Sequence, residues 1–101
     1  MAGIDRDAQV KNENAVKDFI IKAGSPIIAQ SIHKREDIPW HTAHDILERF
    51  EDAQLVEKVK VPWGTGSAFV PTPELKKINL ELVEWERVGK GWKIIKREDK
   101  N

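Results

Sequence analysis

Two histidines and two carboxylates recur at helical spacing near the middle of the chain. His41, His44, Asp45 and Glu48 fall at positions that share one face of a helix. Imidazole and carboxylate groups together suit zinc and other divalent ions. The pair His41 and His44 lacks the adjacent glutamate and the third ligand of a protease motif, so we predict no metal site. A metal-responsive sensor remains a third hypothesis.

The same side chains can form the kind of hydrogen bonds by which proteins recognise DNA bases. His41 and His44 can donate to guanine or phosphate, Thr42 can contact a thymine methyl group, and Asp45 can accept from cytosine N4. Trp40 precedes them, and we expect its ring to pack under the first turn of the helix. This stretch therefore predicts a reading face that carries little basic charge.

Catalytic chemistry finds no support in the residue types present. The chain has no cysteine, which excludes a thiol nucleophile and thiolate metal ligands. No Ser, His and Asp spacing indicates a triad, and Gly64-Thr65-Gly66 is too short to cradle a phosphate. We predict a protein that is not an enzyme and holds no cofactor.

The charge of the chain is balanced overall but uneven along its length. Its 101 residues hold 17 Lys and Arg and 17 Asp and Glu. Residues 57–77 carry four lysines against two glutamates, a net charge of +2, whereas residues 31–56 carry three cations against six carboxylates, a net charge of −3. Because phosphates dominate DNA affinity, any DNA contact must use such local asymmetry.

A helix is predicted within residues 42–56, the stretch around which the rest of the chain is organised, and it ends before the strand that begins at residue 55. Its apolar positions repeat at helical spacing and should face a core, while its polar positions should face outward. The inward set is Ala43, Ile46, Leu47 and Phe50. The outward set is Thr42, His44, Asp45, Glu48 and Arg49.

A β-hairpin should follow this helix directly. Residues 55–61 alternate in period two, residues 62–67 read as a turn, and residues 68–70 form the returning strand. Lys58 and Lys60 should share one face, where they either contact phosphates or protect an edge strand from aggregation. Trp63 at the tip either contacts a partner or packs back on the domain.

Two further helices are predicted before the helix within residues 42–56. The first spans Ala8 to Ala23 and ends at Gly24, with an outward face that holds Lys11, Asn14, Lys17, Asp18 and Lys22. Ser25 and Pro26 then indicate the N-cap and first position of a second helix that buries Ile28, Ala29 and Ile32. The link over residues 34–39 is longer than the tight turn of a plain helix-turn-helix.

The C-terminal part allows two predictions. Thr72-Pro73-Glu74 is a helix start, and Leu75, Ile78, Leu82 and Trp85 continue a helical seam, which favours a helix over residues 73–86. The alternative is a second hairpin, with strands at 82–88 and 92–96 joined by the turn 89–91.

The helix and hairpin together resemble winged helix-turn-helix regulators of the MarR-like and HxlR-like kind. In those proteins a Thr, a small apolar residue, a Leu, a second apolar residue and a Glu lead into Gly-Leu-Val. Here these places hold Thr42, Ala43, Leu47, Phe50 and Glu51, followed by Gln54-Leu55-Val56. We therefore expect a mainly α protein with a small antiparallel β-hairpin: a winged helix with a three-helix core, a wing, and a C-terminal helix or second hairpin.

The resemblance implies a homodimeric, non-enzymatic transcriptional regulator that binds double-stranded DNA. The recognition helix would span about residues 40–52 and enter the major groove, and the wing, about residues 55–71, would hold the backbone. Ser25 would offer helix N-terminal N–H groups to a phosphate. The predicted DNA contacts are Ser25, Lys34, Arg35, Trp40, His41, Thr42, His44, Asp45, Lys58, Lys60, Trp63 and Thr65.

A second hypothesis is a winged helix that contacts a protein partner instead of DNA, as an adaptor or assembly subunit. The acidic helix, the zero net charge and the tryptophans favour it. In either case we expect a flexible segment at residues 1–7, one domain at 8–88 and an extension at 89–101. The absence of a long apolar run predicts a soluble cytoplasmic protein without membrane contact.

Overall fold

Three helices, two β-hairpins and a short helix make up the fold. The computed structural model describes residues 6–61 and 66–96, with side chains from Ala8 to Ile95. The first half holds α1 (Arg6–Ala23), α2 (Ala29–Glu36) and α3 (Trp40–Asp52). The second half holds β1 (Val56–Lys60), β2 (Ser67–Pro71), α4 (Pro73–Lys77), a 3-10 turn (Leu80–Leu82), β3 (Glu84–Val88) and β4 (Gly91–Lys96). The predicted helical protein with a small antiparallel hairpin is confirmed at this level.

Helix α3 lies at the centre of the core, as its periodicity predicts. Ala43, Ile46, Leu47 and Phe50 are at most 1% exposed. Full burial of an aliphatic or aromatic side chain stabilises a fold by roughly 1.5–3 kcal/mol, so this stripe anchors the surrounding elements. The helix ends before Gln54, whose φ of 64° is incompatible with a further right-handed turn.

The link between α2 and α3 is shorter than predicted. Helix α2 continues to Glu36, which leaves only Asp37, Ile38 and Pro39 before α3. Asp37 ends α2 in the left-handed conformation, with φ 56°, and this reverses the chain in a single step. Ile38 is then buried, and its carbonyl lies 2.7 Å from Nδ1 of His33. The prediction of a long link was wrong, and the turn is a tight one.

Helix α2 begins at Ala29, so the predicted N-cap at Ser25 was also wrong. The reason is Ile27, which pairs with Phe69 of β2 in an isolated antiparallel bridge. Each residue donates its N–H to the carbonyl of the other, at 3.0 and 2.8 Å. An extended Ile27 cannot belong to a helix, and Ile28 is extended as well, with φ −118° and ψ 159°.

Strands β1 and β2 form hairpin 1, the predicted hairpin. They pair antiparallel from Val56 opposite Pro71 to Lys60 opposite Ser67. Val56 and Phe69 are buried and join hairpin 1 to the core around α3. Its tip, including Trp63 and Thr65, lies outside the described residues.

The C-terminal helix over residues 73–86 was wrong, and the alternative hairpin is confirmed. Helix α4 stops at Lys77, and the next residue, Ile78, is extended. The Asn79 side chain accepts a hydrogen bond from the N–H of Glu81 at 3.1 Å, which competes with helical pairing. Strands β3 and β4 then form hairpin 2, in which Trp85 pairs with Ile94 and Arg87 pairs with Trp92.

One residue of α1 departs from the predicted outward face. Lys17 is 8% exposed, and its Nζ donates to the carbonyl of Ile78 at 2.8 Å. The carbonyl just after α4 thus draws a lysine inward, because a buried carbonyl needs a donor. Among the described residues, no helix combines the length and apolar character needed to cross a bilayer.

Candidate nucleic-acid interface

A strip of polar side chains remains exposed along α3. It comprises His41, His44, Asp45 and Glu48, and we call it the α3 strip. Trp40 lies beside it and is 49% exposed, so the prediction that this ring packs under the helix was wrong. Its ring stacks on the imidazole of His44, with 5.0 Å between centroids and 16° between planes. Because this stacking restrains the imidazole, His44 is presented in a defined orientation within the α3 strip.

Hairpin 1 contacts one flank of α3 at Glu51. Nζ of Lys58 lies 3.5 Å from Oε1 of Glu51 and also lies over the Phe69 ring, 5.9 Å from its centroid. Lys58 is still exposed, as is Lys60 on the same face of β1. Lys60 forms no ion pair with any residue in the described part of the chain. Hairpin 1 therefore supplies one paired and one unpaired cation next to the strip.

Hairpin 2 contacts the opposite flank of the same helix. The N–H of Trp92 donates to Oδ2 of Asp52 at 3.0 Å. Arg49, also on this flank, has its guanidinium 5.6 Å from the centroids of both the Trp85 and Trp92 rings. At 3.6 residues per turn, Glu51 projects about 160° from Arg49 and about 100° from Asp52 around the helix axis. The two hairpins thus lie on either side of α3, with the α3 strip between them.

Arg49 is the side chain that fixes hairpin 2 in place, although the sequence predicted it to face outward. It is 11% exposed and donates to Oε2 of Glu13 on α1, which is 1% exposed. Arg49 Nε and Trp85 Nε1 are buried without a hydrogen-bond partner in the described part of the chain. Because such donors are costly to bury, the gain from stacking and ion pairing must exceed this cost.

Gly91 allows hairpin 2 to approach α3 closely. A Cβ at this position would lie 3.2 Å from Oδ2 of Asp52, the oxygen that accepts from Trp92. A side chain here would require the Asp52 carboxylate to shift by a few tenths of an ångström. The small residue at the start of β4 therefore sets the spacing between the hairpin and the helix.

The predicted DNA contacts fall into two separate groups. Trp40, His44 and Lys58 border an open groove of about 330 Å³, whose other walls include Ile28 and Phe69. His41 and Asp45 are exposed nearby on α3, and Thr42 is half-buried.

The second group lies elsewhere on the domain. Ser25, Lys34 and Arg35 line a recess between α1 and α2, away from the α3 strip. Ser25 precedes α2 by several residues, so it has no place at a helix N-terminus. The predicted phosphate contact at Ser25 therefore has no structural basis.

Three side chains of the α3 strip could together hold a divalent ion. Ligand atoms of His44, Asp45 and Glu48 lie within 4.8 Å of one another. Nδ1 of His44 is also 3.6 Å from Oε1 of Glu48, which is the spacing of an i, i+4 pair. All three side chains are at least partly exposed, and the sensor hypothesis stays a prediction.

Comparison with known proteins identifies no relative. No protein-family model, no curated protein and no solved structure matches this chain. Function must therefore be inferred from the α3 strip and the hairpins beside it.

Sequence reasoning missed the cations of hairpin 2. Arg87 and Lys90 line a recess of about 190 Å³ with Asp45 and Glu48 of the α3 strip. A signal for this face existed, since Trp85 and Arg87 alternate on β3 as Trp92 and Ile94 do on β4. The preference for a helix over residues 73–86 concealed it.

Proposed function

We propose that this chain is a winged-helix protein that binds double-stranded DNA as a cytoplasmic, non-enzymatic transcriptional regulator. The N-terminal turns of α3 would enter the major groove, and hairpin 1 would act as the wing. The observation that carries this proposal is the α3 strip, which is exposed from its first turn and flanked by Lys58 and Lys60. A tight link between α2 and α3 and the bridge from Ile27 to hairpin 1 support the same arrangement.

The charge of the α3 strip determines what kind of DNA binding is expected. Asp45 and Glu48 repel phosphates, so sequence-independent affinity should be low. Base contacts from His41 and His44, and acceptance from cytosine N4 by Asp45, would then supply most of the discrimination. We therefore expect weak binding to random duplexes and much tighter binding to a selected site.

The test is a fluorescence-anisotropy titration with a random duplex and with duplexes enriched by repeated selection. Wild-type protein should bind a selected duplex in a salt-dependent way. Lys58→Ala/Lys60→Ala should remove about two phosphate contacts, which lowers the slope of log K against log salt by roughly 1.8. Lys11→Ala/Lys22→Ala on the outer face of α1 removes the same charge and should leave the slope unchanged. No binding at low salt would refute the proposal.

A second candidate function is contact with a protein partner. It is favoured by Trp40, whose half-exposed ring borders the groove that also holds Ile28 and Phe69. Tryptophan is enriched among residues that dominate protein interfaces. A partner captured and identified by mass spectrometry, lost with Trp40→Ala but kept with Lys11→Ala, would favour this function if no DNA affinity is found.

A homodimer is part of the first proposal, because helix-turn-helix dimers bind paired half-sites. Val88 and Ile95 of hairpin 2 are 50% and 52% exposed, which leaves apolar surface available for a second copy. Light scattering should give twice the mass of the chain, and Val88→Lys/Ile95→Lys should restore the monomer. A monomeric wild type at high concentration would rule out this part.

A further inference from the structure

Hairpin 2 places two cations beside the α3 strip, Arg87 on β3 and Lys90 in the turn. Arg87 and Lys90 are exposed, and neither forms an ion pair with a residue that the structure describes. The recess that they line also holds four carboxylates of α3, namely Asp45, Glu48, Glu51 and Asp52. Lys93, in contrast, pairs with Glu86 on the outer face of the same hairpin, at 3.9 Å.

We propose that hairpin 2 is a second phosphate-binding arm, in which Arg87 and Lys90 contact the DNA strand opposite the one held by hairpin 1. This inference rests on the DNA-binding function proposed above. It adds a contact surface to that function, since the resemblance assigns phosphate contacts to hairpin 1 and to Ser25 but not to hairpin 2.

The first argument is the shape of the major groove. The groove is about 12 Å wide, so a helix inserted in it has a sugar-phosphate strand on each side. Hairpin 1 contacts α3 through Glu51, and hairpin 2 contacts it through Asp52, about 100° from Glu51 around the axis, and through Arg49, about 160° from Glu51. Cations on both hairpins therefore match the two strands that border the groove.

The second argument is that hairpin 2 is held rigidly. Arg49 stacks against Trp85 and Trp92, and the guanidinium of Arg87 lies 5.2 Å from the centroid of the Trp92 ring. Gly89 adopts φ 61°, which closes the turn that carries Lys90. A guanidinium held in this way, like that of Arg87, loses little conformational entropy when it binds a ligand.

If Arg87 and Lys90 had only a structural role, the expected results would differ. Arg87 and Lys90 could serve only to offset the carboxylates of the α3 strip across the recess. In that case their removal would lower the melting temperature and would leave the salt dependence of DNA binding unchanged. The two roles are therefore separated by measuring stability and the salt slope on the same variants.

The experiment compares Lys90→Gln with Lys93→Gln in the full chain, with a selected duplex as the probe. Both variants lose one lysine from hairpin 2, but Lys93 lies on the face turned away from α3. Lys90→Gln should reduce the salt slope by about 0.9, whereas Lys93→Gln should not change it. Arg87→Gln/Lys90→Gln should weaken binding about tenfold at moderate salt and reduce the slope by about 1.8. Arg87→Lys/Lys90→Arg should retain the wild-type slope.

Each outcome bears on one of the two proposals. Suppose that wild type binds DNA, that Lys58→Ala/Lys60→Ala weakens this binding, and that Lys90→Gln and Arg87→Gln/Lys90→Gln keep the wild-type salt slope. The second phosphate-binding arm is then refuted, and the proposed function stands. An altered melting temperature with an unchanged slope also refutes the second arm. If wild type binds no DNA, the proposed function fails and the inference fails with it.

Discussion

Arg49 of α3 donates a hydrogen bond to Oε2 of Glu13 of α1 at 2.5 Å, and this pair is shielded from solvent by hairpin 2. The same guanidinium contacts two tryptophan rings on the other side. Arg49 therefore connects the first helix, the central helix and the second hairpin. A buried ion pair is weak evidence of net stabilisation, but the loss of one partner leaves the other charge unpaired.

Arg49→Ala should destabilise the protein by about 3–5 kcal/mol, because Glu13 would remain buried without its cation. Urea denaturation followed by tryptophan fluorescence measures the free energy of unfolding. Glu13→Leu/Arg49→Met, which removes both charges, should recover most of the loss. Arg35→Ala, at an exposed position of α2, should change stability by less than about 0.5 kcal/mol. A loss below about 1 kcal/mol for Arg49→Ala would contradict the structural role of the pair.

Asp52→Ala should loosen hairpin 2, because the N–H of Trp92 would lose its acceptor. The expected cost is about 1 kcal/mol, with a weakened near-ultraviolet circular dichroism signal from Trp92. Asp52→Asn keeps an acceptor oxygen at the same place and should retain most of that signal. Equal spectra for the Ala variant and wild type would show that the hydrogen bond does not hold the hairpin.

Lys17→Ala should lower stability by about 1–3 kcal/mol, because the Ile78 carbonyl would be left buried without its donor. Lys22→Ala, on the exposed part of the same helix, serves as the matched control and should be close to neutral. Thermal melts of the two variants provide the comparison. Similar melting temperatures would mean that solvent replaces the lysine at no cost.

Asp45→Asn/Glu48→Gln should increase affinity for random duplexes several-fold at low salt, because it removes two charges that repel phosphates. Asp18→Asn/Glu36→Gln removes two carboxylates from the recess between α1 and α2 and should have a much smaller effect. Anisotropy titrations at matched ionic strength measure the difference. If both variants gain affinity equally, only net charge matters and α3 has no special place in the interface.

The sequence predicted α3 well because its burial follows directly from periodicity. The apolar residues of this segment all fall on one face of a helix, and their spacing fits no other element. They are Ala43, Ile46, Leu47 and Phe50. Arg49 was placed wrongly because its environment comes from Glu13, Trp85 and Trp92, which are distant in sequence. The periodicity of apolar residues indicates which face of a helix is buried. It gives no information about a cation that is buried because it forms an ion pair with a distant residue.

The C-terminal half shows a different limit. Leu75 and Ile78 fit a helical pattern, while Val83 and Trp85 fit a strand, and the chain forms a short helix that holds Leu75 and then a strand that holds Trp85. The helix ends before Ile78, which is extended, and the Asn79 side chain then bonds the backbone locally. Gly24 correctly marked the end of α1, whereas Ser25 and Pro26 gave a false start for α2, since the bridge from Ile27 to Phe69 depends on tertiary contacts.

The bridge between Ile27 and Phe69 also determines how the molecule opens. An amide proton exchanges with solvent only after its hydrogen bond breaks. Here the N–H of Ile27 donates to the carbonyl of Phe69, and the N–H of Phe69 donates to the carbonyl of Ile27. Their exchange should therefore occur in a single event that separates β2 from the chain segment before α2. We therefore expect hairpin 1 and the segment before α2 to open as one cooperative unit, so that hairpin 1 does not move as an independent flap.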